Sequence, residues 1–172
     1  TPMESKCKHH KGEMPVGPNN RRREIAQRIG GIAGWICQMT VPEALFAWSY
    51  LAQFTSSPSD GVITDNKRIF RYFKWLLENN IAGLTFKPLT SLNVPYIGTV
   101  RRNQLYGYVD STHISEERSV SRYGVCLFLN GMLLVAQLKK LTYVTLSATE
   151  SEYVGMSEAG KLAMFLYYLM NE

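Results

Sequence analysis

Side chains able to hold a metal, move a proton or grip a phosphate are sparse in these 172 residues, so each can be weighed singly. Cys7, His9 and His10 carry the donor atoms of a metal clip. No second ligand cluster of fixed spacing follows them, and a solvated tail is the better reading. Basic residues gather as Arg21-Arg22-Arg23, as Lys67, Arg71 and Lys74 at spacing i, i+4, i+7, as Arg101-Arg102 and as Lys139-Lys140. Such groups bind phosphates through charge, and that binding falls steeply with salt. A basic helical face is nevertheless more often plain solvated surface. Two carboxylates complete the set. Asp110 closes the run LYGYVDS and Glu152 stands in SATESEY. Taken alone, Asp110 reads as a turn residue and Glu152 as a cap partner of Thr149. Ser147 and Glu150 form the alternative capping box, to which we assign Glu150. His113 reads as a surface-loop histidine.

The elements that must position these groups follow from hydrophobic periodicity. Residues 1–22 are rich in proline and glycine and read as a flexible arm. Residues 23–87 read as helices. Ile25, Ile29, Ile32 and Ile36 fall on one stripe, and Gly30, Gly31 and Gly34 allow a neighbour to pack closely. Pro42 fits the first turn of a second helix with Thr40 as its cap, and Leu45, Trp48, Leu51 and Ala52 form its apolar face. A third helix over about 63–79 turns Ile69, Phe73, Leu76 and Leu77 inward. Residues 88–103 read as a linker with one short extended piece. From 104 the period becomes that of strands. Three short runs follow, with Asn130-Gly131 between the second and third as a hairpin signal, because both turn positions need positive φ. The last helix is apolar all round from Leu162 to Met170, so it is expected to be buried on every side.

Composition sets the frame. Apolar residues at 45% and aromatics at 12% are enough for a core. Nineteen basic against 14 acidic residues give a net charge of +5, weak support for a polyanionic partner. Three widely spaced cysteines argue against a disulfide framework and for a reducing compartment. The polar start has no signal-peptide pattern, and no apolar run is long enough to span a bilayer. A soluble, intracellular protein without a membrane partner is expected.

The order of the motifs resembles the Pol polyprotein of copia-type LTR retrotransposons. The pieces RIGGIAGW, MTVPEALFAWSYLAQF and SPSDGVITDNKRIFRYFKWLLENNIAGLTF are similar to the segment after that family's reverse-transcriptase thumb. GYVDSTHISEERSVSRYGVCLFLNG and LKKLTYVTLSATESEYVGMSEAGKLA resemble its ribonuclease H motifs. The resemblance implies an α+β fold: a helical connection segment, then over 104–172 a partial ribonuclease H-like fold of three antiparallel strands and a helix, truncated before a fourth strand. It implies a fragment of a polyprotein whose parent hydrolyses RNA in RNA–DNA hybrids by a two-metal mechanism. On that resemblance Asp110 and Glu152 match catalytic, metal-binding carboxylates, and Mg2+ (or Mn2+) is the cofactor of the intact domain. The family's later carboxylates would lie beyond residue 172, so the chain alone is expected to be inactive and to hold metal poorly. RNA–DNA hybrid or other nucleic acid, met by Lys67, Arg71, Lys74, Arg101, Arg102, Lys139 and Lys140, and the remainder of the polyprotein are the implied partners. A cytoplasmic particle or the nucleus is the implied location. The alternative is a non-catalytic nucleic-acid-binding or assembly module, or a functionless remnant. Thr112, His113, Val41, Val62 and Ala136 depart from the family pattern.

A missing fourth strand would leave the edge carrying Asp110 open to strand addition by another copy. Fast hydrogen exchange over residues 105–110 in the monomer is therefore expected, and strong protection there would count against an open edge.

Overall fold

The computed structural model describes residues 21–84, 91–113, 121–142 and 144–171. It divides into two units, residues 1–83 and 84–172. The coarse expectation of a mixed fold holds: the described residues form four α-helices and two antiparallel sheets.

The first unit holds helix α1 (Arg21–Met39), a 3-10 turn (Pro42–Ala44), α2 (Leu45–Ala52) and α3 (Asp60–Glu78). The stripe that α1 buries is made of small residues, Ala26, Gly30, Ala33, Gly34 and Cys37. The isoleucine stripe expected inside faces out in part, with Ile25 at 37% and Ile32 at 47% exposure. Small residues win because they let α2 approach. The Trp48 indole covers Gly34, and its Nε1 donates to the Gly30 carbonyl at 2.7 Å. Burying a large flat ring and satisfying its one donor outweighs burying a branched side chain. Thr40 does not cap the second helix. Its hydroxyl donates back to the Ile36 carbonyl, closing α1 instead, and Val41 precedes the 3-10 turn. In α3 the expected core residues Ile69, Phe73 and Leu76 are buried, whereas Leu77 is 67% exposed because it lies off that stripe. Ser59 caps α3, accepting from the Val62 amide. Cys37 is fully buried, and burial first, then the charge of Glu43, pushes its thiol up to about 12.

The second unit opens with a hairpin, β1 (Ser91–Val94) and β2 (Gly98–Arg101), where a linker with one extended piece is expected. The turn residue Tyr96 takes a positive φ of 64°, which the side chain itself does not advertise. Three strands follow as a meander: β3 (Leu105–Thr112), β4 (Arg122–Leu129) and β5 (Met132–Lys140), in the order β3-β4-β5. Asn130 (φ 53°) and Gly131 (φ 77°) make the expected tight turn. The Asn130 side chain is also bonded to Asn103, tying the β2–β3 turn to the β4–β5 turn. Helix α4 (Ala148–Met170) packs on one face of this sheet. Val154, Ala159, Leu162, Ala163 and Leu166 meet Tyr123, Val125, Leu127 and Leu141 there.

Full burial of α4, expected from its apolar sequence, is not what the structure has. Only Ser151 and Gly155 are buried outright, and Met164, Phe165, Tyr167, Tyr168 and Leu169 are each more than half exposed. A three-stranded sheet covers one helical face and no more.

The close approach at Trp48 makes a paired test. A Cβ on Gly34 would sit 2.5 Å from indole carbons, whereas one on Gly31 meets nothing within 4 Å. Gly34→Ala is expected to lower the unfolding free energy by about 1–3 kcal/mol. Gly31→Ala should leave it unchanged or raise it by up to about 1 kcal/mol. Urea titrations of the two variants beside the parent chain measure both.

Candidate functional site

The most organised polar ground in the second unit lies where β3 ends, β4 begins and α4 starts. Ser147 is the N-cap of α4 and accepts from the Glu150 amide at 3.1 Å. Glu150 reaches back to the Leu146 amide at 2.6 Å, one residue before the cap. This is the reciprocal capping expected for that pair. It also places a negative side chain at the positive end of the helix. In the same turn the Ser151 hydroxyl, donating to the Ala148 carbonyl, lies 3.1 Å from the Ser111 hydroxyl of β3. Beside it, buried Thr145 joins Ser121 at 2.8 Å and the Nδ1 of His113 at 2.9 Å. His113 thus has a structural partner rather than a free loop position. Thr145 is 1% exposed, so this relay binds the strand ends together and offers no open nucleophile.

Asp110 and Glu152 sit beside this network but do not share a side of the sheet. Val109 and Ser111 approach Gly155 of α4. Side chains alternate along a strand, so Asp110 between them points to the opposite face. There it is exposed and accepts from the neighbouring Ser111 amide at 2.9 Å. Glu152 is exposed on α4. Among the described residues no group of three or more His, Cys, Asp or Glu is arranged to hold a metal ion. Cys7, His9 and His10 lie outside the described residues.

The basic residues are exposed but not gathered. Lys67, Arg71 and Lys74 line one side of α3, with Lys74 paired to Glu78 at 3.5 Å. Arg101 and Arg102 lie beside Asn130 and Gly131 at the β4–β5 turn. Lys139 and Lys140 end β5, opposite Tyr123 and Arg122. The nine residues of β5 keep the two pairs on the order of 25 Å apart at ordinary strand rise. Tertiary structure therefore makes no single phosphate-binding patch of the pairs in this unit.

No protein-family model matches the chain, and no solved structure matches it. A curated protein does. The chain is 33% identical over 142 residues to secreted RxLR effector protein 161 of Plasmopara viticola, across 80% of this chain and 87% of that one. The chain belongs to that effector's family. This finding corrects the resemblance to a copia-type Pol polyprotein, and with it the reading as a reverse-transcriptase and ribonuclease H fragment with a nucleic-acid-binding or remnant alternative. The physical reason is that the matched motifs are short and double as folding signals. SATESEY is what a capped helix start requires, and FLNG is what a tight hairpin requires. The intracellular location falls with it, since the effector relative is by name secreted. Cys37 and Cys126 are free thiols, but the lack of a disulfide framework does not by itself place a protein in the cytosol. No helix among the described residues is long and apolar enough to cross a membrane.

What the sequence reading missed in the effector-family chain is the outer face of α4, where Tyr153 is 65% and Met156 49% exposed. Residues i, i+3, i+7 on the side away from the sheet were the available signal, masked by reading the helix as apolar all round. A shallow groove of about 490 Å³ runs along this helix between Ser147 and Lys161.

The contact of Tyr123 with α4 gives a pH test. Burial, then the charge and hydrogen bond of Glu158, raise the Tyr123 pKa, while Glu158 is lowered chiefly by its hydrogen bond to Lys161. A raised folded pKa stabilises below the unfolded value near 10 and is lost as pH climbs through it. The lowered Glu158 pKa stabilises above about 4.5 and is lost on acidification. Thermal midpoints of the second unit should therefore fall at both extremes. Tyr123→Phe is expected to flatten the alkaline limb and Glu158→Gln the acid limb.

Proposed function

We propose that this chain is a secreted effector, a protein that leaves the cell making it and acts by contact with another molecule. The likeness to secreted RxLR effector protein 161, at 33% identity over 80% of the chain, carries this reading. Support for a contact role comes from α4, whose outer apolar side chains stand about half exposed or more. Contiguous apolar patches beyond a few hundred Å² on a soluble chain mark interaction sites. The tetrapeptide Arg-x-Leu-Arg does not occur in the 172 residues. Its nearest spelling, Arg68-Ile69-Phe70-Arg71, lies within α3 with Ile69 buried, so the reading rests on the overall likeness. Asp110 and Glu152 enter it as surface charge, and Mg2+ has no step in it.

The finer topology is also a proposal. The meander β3-β4-β5 followed by α4 on one face is the order of the first half of a ribonuclease H-like fold, and we take that as topology without the activity.

Expressed from its own reading frame in its source organism with a C-terminal epitope tag, the protein is expected in the culture fluid, free of a cytosolic marker. Complete retention in the cell pellet would overturn the proposal.

A further inference from the structure

The outer face of α4 is built to meet itself. Opposite the stripe that packs on the sheet stand Tyr153, Met156, Gly160, Met164 and Tyr167. Measured from Gly160 they fall at −7, −4, 0, +4 and +7, so the stripe reads Tyr-Met-Gly-Met-Tyr in both directions. All four side chains are exposed, from 49% at Met156 to 65% at Tyr153. A glycine in mid-helix is less favourable than an alanine. Nothing among the described residues accounts for it, because a Cβ on Gly160 would meet none of their atoms within 4 Å.

We infer that α4 pairs with α4 of a second copy, antiparallel, crossing at Gly160 on a two-fold axis. A two-fold interface brings position +k of one helix against −k of the other. Only a stripe identical in both directions then sets Tyr153 against Tyr167 of the second copy and Met156 against Met164. The missing side chain at the centre lets the two backbones approach, and the tyrosine and methionine pairs close the flanks. The 3-4-4-3 spacing spans 14 residues, two heptads, the period that pairs helices with a left-handed supercoil. The groove lined by Ser147, Glu150, Tyr153 and Ser157 lies where the symmetry brings Tyr168 of the second copy, itself 60% exposed.

The area is sufficient. Tyr153, Met156, Met164, Tyr167 and Tyr168 together present about 600 Å² per copy, so the pair buries at most about 1,200 Å², the lower end of stable interfaces. An antiparallel pair of that size is expected to dissociate in the micromolar range. The β3 edge, which pairs only with β4 among the described residues, is the competing route to self-association. It lacks this palindrome, and its outer residues include the charge of Asp110. The inference does not depend on where the protein acts, so its failure leaves the effector reading standing.

Sedimentation velocity of the full chain, up to about 100 μM and so well above that range, should show a reversible monomer–dimer equilibrium. Gly160→Leu should weaken the dimer at least tenfold, with the circular-dichroism melt of the monomer unchanged or raised, because the site is open in the monomer and leucine is the better helix former. Mild oxidation should cross-link Gly160→Cys to itself, beyond the parent chain's background. Tyr153→Cys should link only when mixed with Tyr167→Cys. A monomer at every concentration, a dimer indifferent to Gly160→Leu, or self-linking of Tyr153→Cys alone would each overturn the inference. Lipid vesicles bound equally by the parent and Gly160→Leu, without any dimer, would likewise assign the face to a membrane surface and overturn it.

Discussion

At Gly155 helix α4 comes so near the sheet that an added Cβ would lie 3.2 Å from Cγ2 of Val109 and 3.4 Å from Cβ of Tyr123. That closeness sets the rest of the second unit. It brings Ser151 within hydrogen-bonding distance of Ser111, and it decides which face of the helix meets Tyr123, Val125 and Leu127. The opposite face is turned outward as a consequence. The first unit uses the same device at Gly34, where the absent side chain is replaced by the Trp48 ring. In both places a helix is held by what its residue lacks, and the neighbour supplies the volume.

The charge groups show how little linear proximity says about a site. Asp110 and Glu152 belong to elements in contact, α4 and β3, yet alternation along the strand turns Asp110 to the face away from the helix. Arg101-Arg102 and Lys139-Lys140 lie in the same unit but at opposite ends of β5. The polar residues that tertiary structure does join, Ser121, Thr145 and His113, come from three separate stretches of chain. Each is an ordinary residue in its own stretch.

The family relationship explains why motif order misled. A capped helix, a tight hairpin and an amphipathic third helix are solutions that unrelated chains reach for the same physical reasons. Strings such as SATESEY and FLNG therefore match on folding grammar as readily as on descent. Identity of 33% over 142 residues carries more weight than a few short strings. The apolar tail of α4 illustrates the difference. Read as grammar it demands burial; in the folded chain it is surface.

Local signals were legible in the residues alone. The Asn130-Gly131 turn, the Ser147–Glu150 cap, the three-strand meander and the inward Ile69, Phe73 and Leu76 all depend on interactions spanning a few positions, which sequence spacing encodes directly. The β1–β2 hairpin escaped because its turn rests on Tyr96 at positive φ, a conformation no side chain there announces. The inward stripe of α1 and the outward face of α4 were settled only by folding. In each case the decisive quantity is the distance to a neighbour far along the chain, Trp48 against Gly34 and Val109 against Gly155. Periodicity says that a helix has an apolar face; which face is used depends on where another element can come closest.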